Sequence, residues 1–150
     1  MLQNFLAPLN ALGQDGNWYL ALYPLPAGMS YEQMRKANVG PTEYVQAAGT
    51  ADNMAVEVRK PGGEQWGAQW VRYGIGQTHD GVAPVDVPLP LPYGTEMISA
   101  PEVFAADEAA QIFMAYHETG EIPEGYALRP IEGYTADGGQ IDLRGMATAR

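Results

Sequence analysis

The chain contains no cysteine. Disulfides, thiolate nucleophiles and cysteine-based zinc sites are therefore excluded, and a fold that forms without them suits a reducing compartment, which predicts a cytoplasmic protein. Basic residues are also scarce, 8 Lys and Arg against 18 Asp and Glu, giving a formal net charge of -10. A surface of that sign repels nucleic acid and anionic membranes and attracts basic partners. No apolar run approaches the roughly 20 residues that a membrane span needs. The N-terminal MLQNFLAPLNALGQDG has no Lys or Arg ahead of its apolar residues, as a secretory leader would. A soluble, unprocessed chain is expected.

Chemical motifs are sparse. Ser30 and Ser99 are the only serines, and neither lies in a G-x-S-x-G elbow. The two histidines, His79 and His117, lack the HxH, HxxxH or HExxH spacing of a metal site, so no metal and no cofactor is expected. GIGQTHDG has neither the spacing nor the following helix of a phosphate loop. Paired carboxylates for glycoside chemistry remain open, because nothing singles out two of the 18 acids.

What is present points to one mixed domain over residues 1–150, large enough to bury about 70% of the surface its unfolded form exposes. Leu2, Phe5, Leu6, Leu9 and Leu12 fall at helical spacing, with Pro8 as a defect. NWYLALYP reads as a strand. Ser30 and Gln33 have capping-box spacing for a short helix through Lys36. EYVQAA, MAVEVRK and WGAQWVRYGI are rich in Val, Tyr and Trp and are separated by the turn-forming GTADN and PGGEQ, as in a meander of antiparallel strands.

Pro84, Pro88, Pro90 and Pro92 confine the next segment to a loop around His79 and an edge strand near 85–89. PEVFA is expected as a further short strand. Ala109, Ile112, Phe113 and Tyr116 recur at i, i+3, i+4 and i+7 and predict an amphipathic helix over about 105–118, with Gly120 and Pro123 ending it. YALRPI and QIDLR, with ADGG between, predict a terminal strand pair. The expected class is α+β: a mostly antiparallel β-sheet meander, one main amphipathic helix packed on it, and short N-terminal helices.

Two aromatic or titratable features have competing readings. His117 falls in the last turn of the expected helix, at the negative end of its dipole, and its neighbour Glu118 points about 100° away, so the pair does not converge for catalysis. Trp66, Ala68 and Trp70 share one parity and would line one face of a strand. That face is either core or an exposed anchor for a protein partner.

The run PEVFAADEAAQIFMAYHETGEIPEGYALRP resembles the C-terminal part of a bacterial immunity-protein family that accompanies deaminase toxins in polymorphic and interbacterial toxin systems. The resemblance rests on Phe113 and Tyr116, Thr119 and Gly120, Pro123, and Tyr126 to Leu128. With MAVEVRKPGGEQWGAQWVRYGIG as a central hairpin, it extends over about residues 54–130. This chain lacks the tryptophan that often closes the last strand of that family. The resemblance implies a mostly β fold with one packed helix, and stoichiometric occlusion of a toxin domain without turnover.

Charge distribution agrees with that expectation. Residues 73–128 contain no Lys or Arg but nine acids: Asp80, Asp86, Glu96, Glu102, Asp107, Glu108, Glu118, Glu121 and Glu124. An acidic inhibitor gains fast encounter with the basic channel of a toxin that acts on nucleic acid or nucleotides. The loop over 76–84 is the natural probe, with Asp80 and Asp86 as its charges and His79 as a hydrogen-bonding tip. Glu118, Glu121 and Glu124 would flank it if the helix end shared that face. The other readings are an acidic chaperone or adaptor for a secreted protein, or a small hydrolase using dispersed carboxylates.

Overall fold

The computed structural model describes residues 1–148. Eight strands and three helices follow in the order α1 (Gln3–Asn10), β1 (Tyr19–Leu22), α2 (Tyr31–Lys36), β2 (Tyr44–Gly49), β3 (Met54–Pro61), β4 (Trp70–Gln77), β5 (Val87–Leu91), β6 (Gly94–Ile98), α3 (Ala106–Thr119), β7 (Tyr126–Tyr134) and β8 (Gln140–Asp142). Six strands form one antiparallel sheet in the order β1-β2-β3-β4-β7-β8. The meander is interrupted once, where β5 and β6 leave to pair with each other. The architecture is α+β, as expected.

Strand alternation sorts the sheet into two faces. Val45, Ala47, Val56, Val58, Val71, Tyr73 and Ile75 point to one, where they meet Ala109, Ala110, Ile112, Phe113 and Tyr116 of α3 in the main core. Helix α1 adds Leu9 and, just beyond its end, Leu12, with Phe5 tilted against Phe113 at 6.1 Å between ring centroids. The anticipated helical stripe is thus the buried one. Gly120 stops α3 with φ 75, in the left-handed region that favours glycine, and its N–H reaches Tyr116 O at 2.7 Å. Ser30 and Gln33 form the anticipated capping box at the start of α2.

The opposite face is covered in part by the β5–β6 hairpin, whose Leu89 and Ile98 pack on Ala55. Pro88 and Pro90 lie opposite Met97 and Thr95 of β6 and alternate with Val87, Leu89 and Leu91. Since proline lacks an N–H, β5 must bond β6 through Val87, Leu89 and Leu91, and its outer edge offers an incoming strand no donor at the two prolines.

Four local expectations are corrected. Trp66 does not share a strand with Trp70: Gly63 and Gly67, both left-handed, bracket a 3-10 turn over Glu64–Trp66. Trp66 instead packs at the margin of the main core, and Tyr73 lies within it. PEVFA is not a strand, because Pro101 and Glu102 belong to a 3-10 turn over Ala100–Glu102 and only Phe104 bridges, to Met54. The edge strand begins two residues later than 85, at Val87, and its partner β6 has no clear sequence signal among Gly94, Thr95 and Glu96. Finally, β7 runs beyond the expected end at Ile131 to Tyr134, and Pro130 is tolerated beside a bulge: Arg72 pairs Glu132 while Tyr73 pairs Pro130, leaving Ile131 as the extra residue.

Candidate functional site

The GIG run of β4 is the starting point of the site. Gly74 and Gly76 share the parity of Arg72 and lie on the face away from α3, where a side chain would crowd Pro101 and Glu102 of the 3-10 turn. A Cβ on Gly76 would stand 3.1 Å from Glu102 Cγ and 3.3 Å from the Pro101 carbonyl, and one on Gly74 would stand 3.3 Å from Glu102 Oε2. The glycines thus permit a close approach rather than a phosphate loop.

Close approach buries a charge. Glu102 is 5% exposed and accepts from Arg129 Nε at 2.7 Å, from Arg129 Nη2 at 3.1 Å and from the Ser99 N–H at 2.9 Å. Both carboxylate oxygens are occupied, so Glu102 braces the turn against β7 and its guanidinium partner is held by a fork of two bonds.

Beside this pair opens a cleft of about 510 Å³. Gly76 and Ala127, paired in register, form its floor; His79, Val82 and Ala83 of the 78–86 loop and Arg144 to Thr148 of the C-terminal segment contribute its walls. His79 is half-buried, with Nδ1 3.5 Å from the Asp80 carbonyl. Asp80 and Asp86 are exposed on the same loop and do not line the cleft.

The acids at the helix divide between its ends. Glu108, in the first turn of α3, accepts from Gln77 and, at 2.8 Å, from the Tyr126 hydroxyl, which ties the helix start to the β4 end from which the 78–86 loop departs. Burial and the Glu108 contact push the Tyr126 phenol up to about 12. Glu118 lies ten residues further along α3, a rise of about 15 Å. Glu121 and Glu124 line a different cleft with Lys60, Ile122 and Leu128. The fold therefore keeps His79, Asp80 and Asp86 together on one loop and separates Glu118 and Glu121 from it. His117 is exposed in the last turn of α3, its ring 5.8 Å from that of Phe5.

A second polar cluster, absent from the sequence reading, occupies the sheet face away from α3. Arg72 pairs with Glu57 at 2.9 Å and Glu132 at 3.8 Å and donates to the Tyr134 hydroxyl. Burial pushes the Glu57 carboxyl up against the pull of Arg72, and Arg72 stays firmly protonated despite its burial because Glu57 and Tyr134 favour its charge. Arg59 stacks on Tyr134 and Trp70, 4.3 and 5.4 Å from their ring centroids, and donates to the Thr42 carbonyl. Burial, with the nearby Tyr134 and Glu57, pushes the Tyr44 phenol up to about 12. Alternation along β3, β4 and β7 was the signal for this cluster, since Glu57, Arg59, Trp70 and Arg72 all oppose the apolar parity.

Among the described residues there is no group of three or more His, Asp or Glu placed to hold a metal, and no helix long and apolar enough to cross a membrane. No protein-family model, curated protein or solved structure matches this chain.

Proposed function

We propose that this protein is an immunity protein: a cytoplasmic, non-catalytic inhibitor that binds a cognate bacterial toxin domain one to one and covers its basic substrate channel. The observation carrying this reading is the uncompensated charge of the stretch free of Lys and Arg. Of its nine carboxylates only Glu102 engages a guanidinium among the described residues; Asp80, Asp86, Asp107, Glu118, Glu121 and Glu124 are exposed and take part in no ion pair there. Exposed charge of one sign raises the encounter rate with an oppositely charged cleft. The resemblance to immunity proteins that accompany deaminase toxins supplies the class of partner.

The 78–86 loop is the proposed probe. It carries Asp80 and Asp86 on either side of Val82, which is 95% exposed, so charge would steer the approach and an apolar side chain would be covered on docking. Co-expression with a toxin domain encoded by a neighbouring gene tests the reading. Rescue of growth together with a one-to-one complex is the expected result. A complex without rescue would instead indicate an adaptor or chaperone, and turnover of a substrate would indicate an enzyme.

A further inference from the structure

The cleft beside Glu102 concentrates what this chain has least of. Only 8 Lys and Arg occur in the sequence, yet Arg129 and Arg144 line the same cavity. Each guanidinium is already held by a carboxylate: Glu102 grips Nε and Nη2 of Arg129, and Asp142 takes Nη1 of Arg144 at 3.3 Å. Nη1 of Arg129 takes part in neither bond to Glu102, and the residue lines the cavity. Arg144 is half exposed and keeps Nε and Nη2 for a further acceptor. A guanidinium fixed from behind loses little freedom when it takes an oxyanion on its remaining donors.

Besides Glu102, whose carboxylate is taken up by Arg129, the lining adds the polar Gln77, His79, Ser99 and Thr148, and its other residues are small or apolar. Gly76 and Ala127 leave room on the floor, while Val82 stands at the rim, 95% exposed. About 510 Å³ lies within the range of sites for small organic molecules.

We propose that this cleft binds a small organic oxyanion, a carboxylate or a phosphate monoester on an apolar body. Arg129 and Arg144 hold the anion, and the body lies over Gly76 and Ala127 against Val82. The assignment does not depend on the immunity reading, and each can fail without the other.

The test is calorimetric titration of the full chain with AMP, benzoate, adenosine and inorganic phosphate, with amide chemical shifts to locate binding. Saturable binding of AMP or of benzoate is expected, with shifts at Gly76, Ala127 and residues 79–85. AMP alone would assign a phosphate ester and benzoate alone a carboxylate. Adenosine and inorganic phosphate, each half of AMP, should bind at least about tenfold more weakly than AMP where AMP binds. Arg144→Gln and Val82→Asp, both at exposed positions, should each weaken the bound oxyanion about tenfold. Arg129→Gln is a poorer choice, because it strands Glu102 in a buried position. No saturable binding of AMP or benzoate up to about 10 mM would overturn the proposal. So would unchanged affinity in Arg144→Gln, or inorganic phosphate binding as tightly as AMP.

Discussion

His117 and the half-buried tyrosines Tyr44 and Tyr126 illustrate how differently titratable groups are used in this chain. His117 sits where the α3 carbonyls end, exposed and edged by Phe5. His117→Ala should therefore cost at most about 1 kcal/mol of stability and leave partner neutralisation intact, which denaturant unfolding and co-expression rescue would report. Loss of neutralisation in a folded variant would assign the histidine a functional role. Tyr44 and Tyr126 are held near 12, above the ordinary tyrosine value of 10.0. Between those values the folded chain keeps phenol protons that the unfolded chain releases, so the contribution is complete below pH 10 and stability falls as pH rises toward 12. Tyrosinate absorbance should show five of the nine tyrosines, Tyr44, Tyr73, Tyr116, Tyr126 and Tyr134, titrating above the ordinary value, with Tyr44 and Tyr126 shifted furthest, and Tyr44→Phe should remove part of the late phase. A single titration of all nine near 10 in a chain still folded would contradict the burial described for them.

Among the elements, α3 was the most legible in sequence because its apolar residues recur over about three turns, and the same stripe is buried. Phe113 is fully buried at its centre, and Phe113→Ala should cost about 3 to 5 kcal/mol, read as a lowered unfolding midpoint. An unchanged midpoint would place the wrong helix face on the sheet. The meander from β1 to β4 was also legible, since turn residues punctuate β-branched runs. The 3-10 turn at Trp66 was not, because Gly63 falls in the expected PGGEQ turn but Gly67 sits inside WGAQWVRYGI, a run that otherwise reads as a strand. Nor was the site: Glu102 and Arg129 lie 27 residues apart, and only the register of β4 with β7 brings the arginine beside Gly74. The paired glycines gave the one local hint, a strand that something approaches closely.

For the whole molecule, the decisive property is how charge is distributed over the fold. The cations of the described residues that form ion pairs do so at α2, on the sheet face away from α3 and next to β8, while the acids of the 78–86 loop and along α3 are left without one. A purely solubilising charge would produce the same composition, so the contrast must be tested in the encounter itself. The direct measurement is the association and dissociation kinetics of wild type and the double variant Asp80→Asn, Asp86→Asn with the cognate toxin domain, at low and high salt. Slower association with a flatter salt dependence is predicted for the variant, with dissociation changing less, because exposed interfacial charges act mainly on encounter. Identical rates at every salt concentration would put the loop outside the interface and leave its acids as surface solubility alone.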